Sequence, residues 1–296
     1  MIKKSENKLE KNSKKSKKIG KGRKMEKGIL YLVATPIGNL EDITLRAIRV
    51  FKEVDLIAAE DTRHTLKLLN HLDISKPLIS YHRHNEETKT EVLIKRLSEG
   101  KKIALVSDAG TPGISDPGEE IIKKCIDEEI TIIPIPGACA MVNALIASGM
   151  DTKEFIFFGF LPLHKKLRKE KLQEIEHTHK TIILYEAPHK LATTLQDLKF
   201  ILGDRQIVIA RELTKIHEEF IRGTIEKVIA KTENIKGEMV IIIEGAHEKE
   251  ENDLNTLSLE EHYKFYEQQG LEKKEIIKKI AKDRNVSKNE IYQKFI

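Results

Sequence analysis

The stretch KKIALVSDAGTPGISDPGEEII, residues 101–122, indicates the fold class more clearly than any other part of the chain. An apolar run, Ile103–Val106, stops at a serine and an aspartate and enters a loop with three glycines and two prolines. A helix is predicted directly afterwards, with Asp116 as its N-cap and Pro117 at its first position. A strand, a tight glycine loop and a helix start are the arrangement by which α/β proteins hold small molecules. The stretch therefore predicts a ligand-binding loop.

Residues 28–148 repeat this strand-to-helix pattern and are expected to form an N-terminal α/β domain. Short apolar runs predict strands at residues 29–34, 56–59, 78–81, 103–106 and 130–135. Helical patterns lie between most of them, at residues 45–50, 62–69, 86–97 and 117–128. Nearly continuous apolar strands between helices are typical of a parallel sheet covered on both faces. The sequence lacks GxGxxG after the first strand and GxxxxGK[ST] throughout, which excludes the dinucleotide and nucleoside-triphosphate fingerprints.

The pattern changes after Gly149, and residues 149–246 are expected to form a second α/β domain. The segments FIFFGFLP (155–162) and TIILYEAPHK (181–190) enclose a basic helix, and three further short strands follow with little helix between them. This order predicts a mixed or antiparallel sheet. The polar residues 247–257 are predicted to form a linker.

Residues 258–296 are predicted to form a small helical tail. Two serines, each followed three residues later by a glutamate, fit the capping box that begins a helix; the pairs are Ser258 with Glu261 and Ser287 with Glu290. Breaks at Gly270 and at residues 285–286 divide the tail into three helices, of which the last two resemble a helix-turn-helix pair. Its exposed lysines leave two interpretations open: a nucleic-acid contact, or three helices that only pack together.

The formal net charge of +5 over 296 residues is unevenly distributed. Residues 1–27 hold twelve Lys or Arg against three Glu, so the rest of the chain is slightly acidic. This arm has almost no apolar side chains to bury and cannot offset the entropy of ordering, so it is predicted to be disordered. It is either a solubilising tail or a phosphate-binding arm whose lysines displace counterions from nucleic acid.

The composition excludes several classes of protein. No apolar run approaches the length of a membrane span, and the first residues lack the apolar segment of a signal peptide. The two cysteines, Cys125 and Cys139, are too few for a disulfide framework, so a cytoplasmic location is expected. Two pairs of histidines separated by one residue lack further ligands at metal-site spacing, and no metal is expected.

Every predicted strand of the first domain ends in a polar or glycine-rich turn. In chain order the five turns are ATPIGNLEDIT (34–44), EDTRHT (60–65), SYHRHNE (80–86), SDAGTPGISDPG (107–118) and IPGACAMVNALIASG (135–149). Ligand sites of open α/β sheets form where the carboxyl ends of the strands meet. Five such turns in series predict a binding site at this edge of the sheet.

These turns together resemble the tetrapyrrole methylase superfamily over residues 28–245. Within it they are similar to the bacterial subgroup that methylates the ribose 2′-oxygen of a cytidine in the decoding region of 16S rRNA, and the helical tail is similar to that subgroup's extra domain. The resemblance implies two α/β domains, S-adenosylmethionine as cofactor, the small ribosomal subunit as partner and a homodimer. The enzymes that act on tetrapyrroles have a GxGxGD-like first turn, whereas TPIGNLED has one glycine, so a porphyrinoid substrate is disfavoured.

The resemblance also implies which residues bind the cofactor, in a cleft between the two domains. The first-domain residues are Pro36, Asp108, Ala109, Gly110, Thr111, Gly113, Ser115, Asp116, Pro136, Gly137 and Ala138. The second-domain residues are Leu184, Tyr185, Glu212, Leu213, Glu238 and Met239. Glycines at two of these positions let backbone approach a ligand closely, and Asp108 or Asp116 can accept a hydrogen bond from an ammonium or a ribose hydroxyl. Asp116 can equally serve only as a helix cap.

Methyl transfer to a ribose hydroxyl is a direct displacement that needs alignment of the reacting atoms and is helped by a general base. Glu60 and Asp61 are the favoured catalytic candidates, because both follow a predicted strand and lie beside a basic pair. The alternative is that Asp61 caps the next helix and pairs with Arg63. The candidates for RNA contacts are Arg46, Arg63, His64, His84, Asn85 and Arg168.

Two other functions stay open at this point. A methyltransferase of the same fold can act on a small molecule such as a tetrapyrrole, and a protein that has lost catalysis can act as a ribosome-assembly factor. The basic arm, the basic tail and the TPIGNLED turn favour RNA over a small molecule. Five intact turns favour an enzyme, because binding to a ribosome alone would not need a methyl-donor pocket.

Overall fold

The computed structural model describes residues 26–232, 235–246, 254 and 257–295. The predicted disordered arm (1–27) and linker (247–257) fall almost entirely outside the described residues. The chain divides into two compact units: one ends at Asn143 and also holds Leu213–Ile216, and the other contains Ala144–Glu212 and the residues from His217 onward. Among the described residues, no helix is long and apolar enough to cross a membrane.

The first unit is built around a five-stranded parallel sheet. Its strands are β1 (Ile29–Val33), β2 (Leu56–Ala59), β3 (Leu78–Ser80), β4 (Ile103–Val106) and β5 (Thr131–Ile135). They lie in the order β3-β2-β4-β1-β5, and every neighbouring pair is parallel. The parallel sheet predicted from the sequence is confirmed, and its strands all end at the same edge.

Five helices connect and follow these strands. They are α1 (Leu45–Glu53), α2 (Thr62–His71), α3 (Glu86–Ser98), α4 (Glu119–Asp127) and α5 (Ala140–Ser148). Successive residues of one strand enter different cores: Ile57 packs in the same cluster as Phe51, whereas Leu56 packs in the same cluster as Leu93. Both faces of the sheet are therefore buried, which is why its strands are apolar at almost every position.

The helix after the glycine loop begins later than the sequence predicts. α4 starts at Glu119, and its N-cap is Gly118 with φ +146° and no side-chain cap. The prediction that Asp116 caps this helix is wrong. Instead the Glu86 carboxylate of α3 accepts a hydrogen bond from the Gly118 N–H at 2.9 Å, across 32 residues of sequence. Capping rules describe only neighbours along the chain and cannot find such a contact.

The second unit contains a mixed sheet, as predicted. Its strands are β6 (Phe155–Phe160), β7 (Thr181–Glu186), β8 (Gln206–Arg211), β9 (Glu219–Thr224) and β10 (Met239–Ile243). The order is β6-β7-β10-β8-β9, with β6 parallel to β7 and the other pairs antiparallel. β7 and β8 both pair antiparallel with β10 and therefore run parallel to each other, and β9 is likewise parallel to β10. The connections β6 to β7, β7 to β8 and β9 to β10 therefore each require a crossover, whereas β8 and β9 are joined directly as antiparallel neighbours.

Three helices accompany this sheet: α6 (Lys165–Glu176), α7 (Leu191–Leu202) and α8 (Ile225–Lys231). α7, with 12 residues between β7 and β8, is not among the helices predicted from the sequence. Between the three later strands the described residues hold the seven-residue α8, in line with the expectation of little helix there. Leu191, Leu195 and Leu198 of α7 are buried in the core of the unit. Their spacing of four and three residues is the helical period.

The chain ends in three short helices, α9 (Leu259–Glu267), α10 (Lys273–Asp283) and α11 (Lys288–Gln293). Ser258 and Glu261 form both bonds of the predicted capping box, and the Ser287 hydroxyl accepts from the Glu290 N–H at 3.3 Å. The three-helix division is confirmed. The helices share a small core of their own, which includes Leu254, Tyr266, Ile276, Ile280 and Ile291.

A buried polar network lies inside this helical tail. The Arg284 Nε–H donates to His262 Nδ1 at 3.2 Å, and His262 Nε2 lies 3.3 Å from Asp283 Oδ2. The Tyr266 hydroxyl donates to the same carboxylate oxygen at 2.6 Å. Because arginine only donates, His262 must accept at Nδ1 and carry its proton at Nε2, which keeps the ring neutral. Burial lowers the pKa of His262, and the charge of Arg284 lowers it further against the pull of Asp283.

We expect the helical tail to lose stability as the pH falls below about 6.5, the ordinary pKa of histidine. There the unfolded chain gains a proton at His262 while the folded tail resists it, so the free energy of unfolding decreases with falling pH. Hydrogen exchange of the α9 and α10 amides in the full chain, corrected for intrinsic rates, measures this loss. His262→Gln should remove most of the dependence; an unchanged dependence in that variant would contradict the assignment.

Candidate cofactor and active site

The loops that follow β1 and β4 are joined backbone to backbone at the edge of the parallel sheet. The Thr35 N–H donates to the Gly110 carbonyl at 2.9 Å, and the Gly110 N–H donates to the Thr35 carbonyl at 3.0 Å. The loop after β5 joins them, because the Thr111 hydroxyl donates to the Ala138 carbonyl at 3.1 Å. Three of the five predicted turns, those after β1, β4 and β5, are therefore hydrogen-bonded to one another.

Two glycines make this close contact possible. A Cβ on Gly110 would lie 3.2 Å from Ile37 Cγ2, and the residue has a φ of +82°, which side chains disfavour. A Cβ on Gly137 would lie 2.9 Å from the Cβ of Ala34. Most of the predicted contact residues are solvent-accessible: Asp108, Ala109, Gly113, Pro136 and Gly137 are exposed, and Pro36, Thr111, Ser115, Asp116 and Ala138 are partly exposed. Gly110 itself is buried. The loops after β1, β4 and β5 therefore present mainly backbone N–H and C=O groups, and few side chains, to a small molecule.

A carboxylate links the turn after β2 to the loop after β4. Asp108 Oδ1 accepts from the Asp61 N–H at 2.9 Å. Its own backbone hydrogen-bonds to the Glu60 carboxyl, which lies at the end of β2. Asp108 was predicted to contact the cofactor, and the structure gives it a second task, the positioning of the two residues predicted to be catalytic.

Glu60 and Asp116 form a partly buried acidic group with Asp108. Burial raises the pKa of Glu60 above its ordinary value, and the charge of Asp108 raises it further. Burial, with the charge of Glu60, raises the pKa of Asp116 to about 6. Arg83 opposes both shifts, and its guanidinium donates to the Ser115 carbonyl in the same loop. Carboxyls with raised pKa values at a strand edge are candidates for proton transfer near neutral pH.

Asp61 differs from Glu60 because its carboxylate already accepts hydrogen bonds from Arg63. It caps α2 by accepting from the Arg63 N–H at 2.8 Å, and it accepts from the Arg63 Nε–H at 3.0 Å and Nη2–H at 2.6 Å. These bonds hold the pKa of Asp61 well below its usual range. The geometry of Asp61 and Arg63 therefore matches the alternative interpretation, in which Asp61 caps the helix and forms an ion pair with Arg63. Of the two predicted catalytic carboxylates, Glu60 therefore has a raised pKa and Asp61 a lowered one.

The residues predicted to contact RNA fall into two groups. Arg46, Arg63, His64 and His84 are exposed. Asn85 instead closes the turn after β3: its Oδ1 accepts from the His82 N–H at 2.9 Å, and its Nδ2 donates to the Ser80 carbonyl at 3.3 Å. The polar atoms of Asn85 are thus engaged within the protein.

Arg168 also has its hydrogen bonds inside the protein. Its Nε–H donates to Asp197 at 2.8 Å and its Nη2–H to the Thr194 hydroxyl at 2.9 Å, and only 17% of the side chain is exposed. Thr194 donates in turn to Glu186, which is 4% exposed. This chain of bonds joins α6, α7 and the end of β7. Arg168 therefore pairs with the partly exposed Asp197 and reaches the buried Glu186 only through the Thr194 hydroxyl, which is typical of a structural arginine.

The residues predicted to bind the cofactor from the second domain lie in β7, at the start of β10 and in the segment that follows β8. Leu184 and Met239 are buried within β7 and β10, so any contact with a ligand would come from their backbone. Tyr185 packs edge to face against Phe157 and Phe160, with ring centroids 4.9 and 5.7 Å away. Glu212 has a φ of +50° and accepts at its side chain from the Glu238 N–H at 3.2 Å. Leu213 is 8% exposed and belongs to the first unit.

A model of the family described as Tetrapyrrole (Corrin/Porphyrin) Methylases matches residues 29–229. The chain belongs to this family. It is 55% identical over 272 residues to the ribosomal RNA small subunit methyltransferase I of Halalkalibacterium halodurans, with 90% of this chain and 94% of that protein covered. It is 51% identical over 278 residues to the protein of that name from Bacillus subtilis, with 92% and 95% covered. The resemblance inferred from the turns is confirmed.

Solved structures of tetrapyrrole methylases and related enzymes share the fold. Uroporphyrin-III C-methyltransferase from Thermus thermophilus, complexed with S-adenosylhomocysteine, has a TM-score of 0.54 at 15% identity and covers 73% of this chain and 97% of its own. A diphthine synthase has a TM-score of 0.58 at 14% identity, with 73% and 90% covered. At such identities the likeness concerns the fold alone, and it confirms the expected family architecture.

Proposed function

We propose that this protein is an S-adenosylmethionine-dependent methyltransferase that modifies the ribose 2′-oxygen of a cytidine in the decoding region of 16S rRNA, on the assembled small subunit. The observation that carries the proposal is the 55% identity, over 90% of the chain, to a relative named ribosomal RNA small subunit methyltransferase I. The exposed glycine loops and the acidic group beside them support it, because they suit a small donor molecule and a hydroxyl acceptor.

The loops after β1, β4 and β5 fit the methyl donor. Gly110 and Gly137 bring three backbones together where a Cβ would clash, and Asp108 adds an exposed carboxylate that can accept from an ammonium or ribose hydroxyl. When bound, S-adenosylmethionine supplies a methyl group on a positively charged sulfur. We assign its contacts in the first unit to the predicted set around these glycines. The contacts predicted in the second unit rest on the family resemblance.

Glu60 is the general base in this proposal. A ribose hydroxyl is a poor nucleophile at neutral pH, so removal of its proton at the Glu60 carboxylate would assist the attack. The raised pKa of Glu60 suits this role, because a base works best when its pKa approaches the working pH. Asp108 accepts from the N–H of Asp61, and its own backbone hydrogen-bonds to the Glu60 carboxyl; these two contacts support the alignment that a displacement needs.

The exposed basic residues Arg46, Arg63, His64 and His84 are assigned to the RNA phosphates, whereas Asn85 and Arg168 are assigned to the stability of the fold. Two copies are expected to associate and to work in the cytoplasm, where ribosomal subunits assemble. The family resemblance is the basis for both expectations.

Transfer of labelled methyl groups from S-adenosylmethionine to small ribosomal subunits that lack the modification tests the proposal. The RNA is digested to nucleosides and resolved by mass. Label in 2′-O-methylcytidine supports the cofactor, the acceptor atom and the base together. Label on protein-free 16S rRNA but not on subunits would overturn the assembled substrate. Cofactor binding without label in any RNA would favour a small-molecule acceptor, and the absence of both would favour a non-catalytic assembly factor.

A further inference from the structure

The basic charge of the helical tail is concentrated on one helix. α10 carries five lysines against Glu275 and Asp283, whereas α9 carries three glutamates against Lys264. A surface that only keeps a protein soluble mixes both signs of charge. The separation of charge between α9 and α10 indicates a surface for an anionic partner.

Three of the five lysines form a line along the solvent face of α10. Lys274, Lys278 and Lys282, called here the lysine row, are exposed and follow one another at four-residue spacing. Their Cα atoms are therefore about 6 Å apart along the helix axis. The opposite face, with Ile276, Ile277 and Ile280, is buried in the tail's own core, so packing holds the row toward solvent.

The lysine row has no ion-pair partner within the part of the chain that the structure describes. The other two lysines of α10 are engaged: Lys273 Nζ donates to the Phe295 carbonyl at 3.2 Å, and Lys279 Nζ lies 4.8 Å from the centroid of the Tyr266 ring. The row is thus the part of the helix left to bind another molecule. Ammonium groups of this kind bind phosphates as point charges without reading a base sequence.

We infer that the lysine row binds the phosphate backbone of folded ribosomal RNA, at a surface that includes none of the residues assigned to methyl transfer. The inference rests on the proposed function for the identity of the RNA. α10 and α11 form the pair that resembles a helix-turn-helix, in which the first helix crosses the nucleic-acid backbone. α11 has only six residues, so the first helix of this pair offers the longer surface. The row anchors the enzyme on its substrate and takes no part in the chemistry.

Binding of the full chain to protein-free 16S rRNA over a range of salt concentrations tests the inference. Each lysine–phosphate contact contributes about 0.7–0.9 to the slope of log affinity against log salt. The triple variant Lys274→Gln, Lys278→Gln, Lys282→Gln should therefore flatten the slope by about 2–3. A matched variant, Lys52→Gln, Lys95→Gln, Lys227→Gln, removes three exposed lysines from other helices and should keep the wild-type slope.

Two further measurements keep the test decisive. The variant with arginine at the three positions of the row should restore the slope, which shows that loss of charge and not loss of folding is responsible. In methyl transfer to small subunits, the glutamine variant should raise KM and leave kcat unchanged. An unaltered slope would overturn the inference, and so would weaker binding to assembled subunits only, which would mean a ribosomal protein as partner. The slope is measured without methyl transfer, so its result is independent of the proposed reaction.

Discussion

Glu60→Gln is expected to reduce kcat for methyl transfer by about 100-fold or more, the usual contribution of a general base. The amide has the same shape as the carboxylate but cannot take the proton of the ribose hydroxyl. Binding of S-adenosylmethionine, measured by calorimetry, should change little, because Glu60 is not among the residues assigned to the cofactor. The measurement is single-turnover methyl transfer to small ribosomal subunits with both substrates saturating.

The pH profile separates this role from a structural one. A base must be deprotonated, and the pKa of Glu60 is raised, so the wild-type rate should fall with decreasing pH at a higher pH than for an ordinary glutamate. The Gln variant should lack this dependence. Asp61→Asn is the matched control, because asparagine also caps a helix and should preserve α2. A large loss in Asp61→Asn with a near-normal Glu60→Gln would transfer the role of base to Asp61.

Gly110→Val is expected to weaken binding of S-adenosylmethionine more than tenfold. A side chain at a φ of +82° costs about 1–2 kcal/mol of stability before any contact is considered. Its Cβ would lie 3.2 Å from Ile37 Cγ2, and the two further methyl groups of valine add to this crowding. Relief requires the loops after β1 and β4 to separate, which breaks the paired bonds between Thr35 and Gly110.

Gly149→Val provides the matched control for this prediction. Gly149 has a φ of +83°, and a Cβ there would meet nothing within 4 Å, so the variant carries the backbone cost without the clash. Thermal unfolding should show destabilisation in both variants. Calorimetry should show weakened cofactor binding only in Gly110→Val. Equal affinities in the two variants would contradict the placement of the cofactor at these loops.

The strands of the first unit could be predicted because their apolar pattern is local. A strand buried on both faces must be apolar at nearly every position. Runs such as Ile103–Val106 can therefore be recognised as strands without knowing which strands lie beside them. The capping box at Ser258 is local in the same way, since its two partners lie three residues apart. The buried leucines of α7 have the helical spacing of four and three residues, which is also a local signal.

Contacts between segments that are distant along the chain could not be predicted from the sequence. Asp116 satisfies every local rule for a helix cap, yet Glu86, 32 residues away, binds the Gly118 N–H. Arg168 belongs to a basic segment, yet its guanidinium is taken by Thr194 and Asp197 of another helix.

The same distinction separates Glu60 from Asp61, adjacent carboxylates that the sequence could not rank. The family, the parallel sheet and the edge where the turns meet could all be predicted from the sequence, because these depend on local patterns. The role of each side chain at that edge depends on burial and on charges brought together by folding, such as Asp108 beside Glu60. Burial and Coulomb interactions act through space, so only the folded chain assigns them.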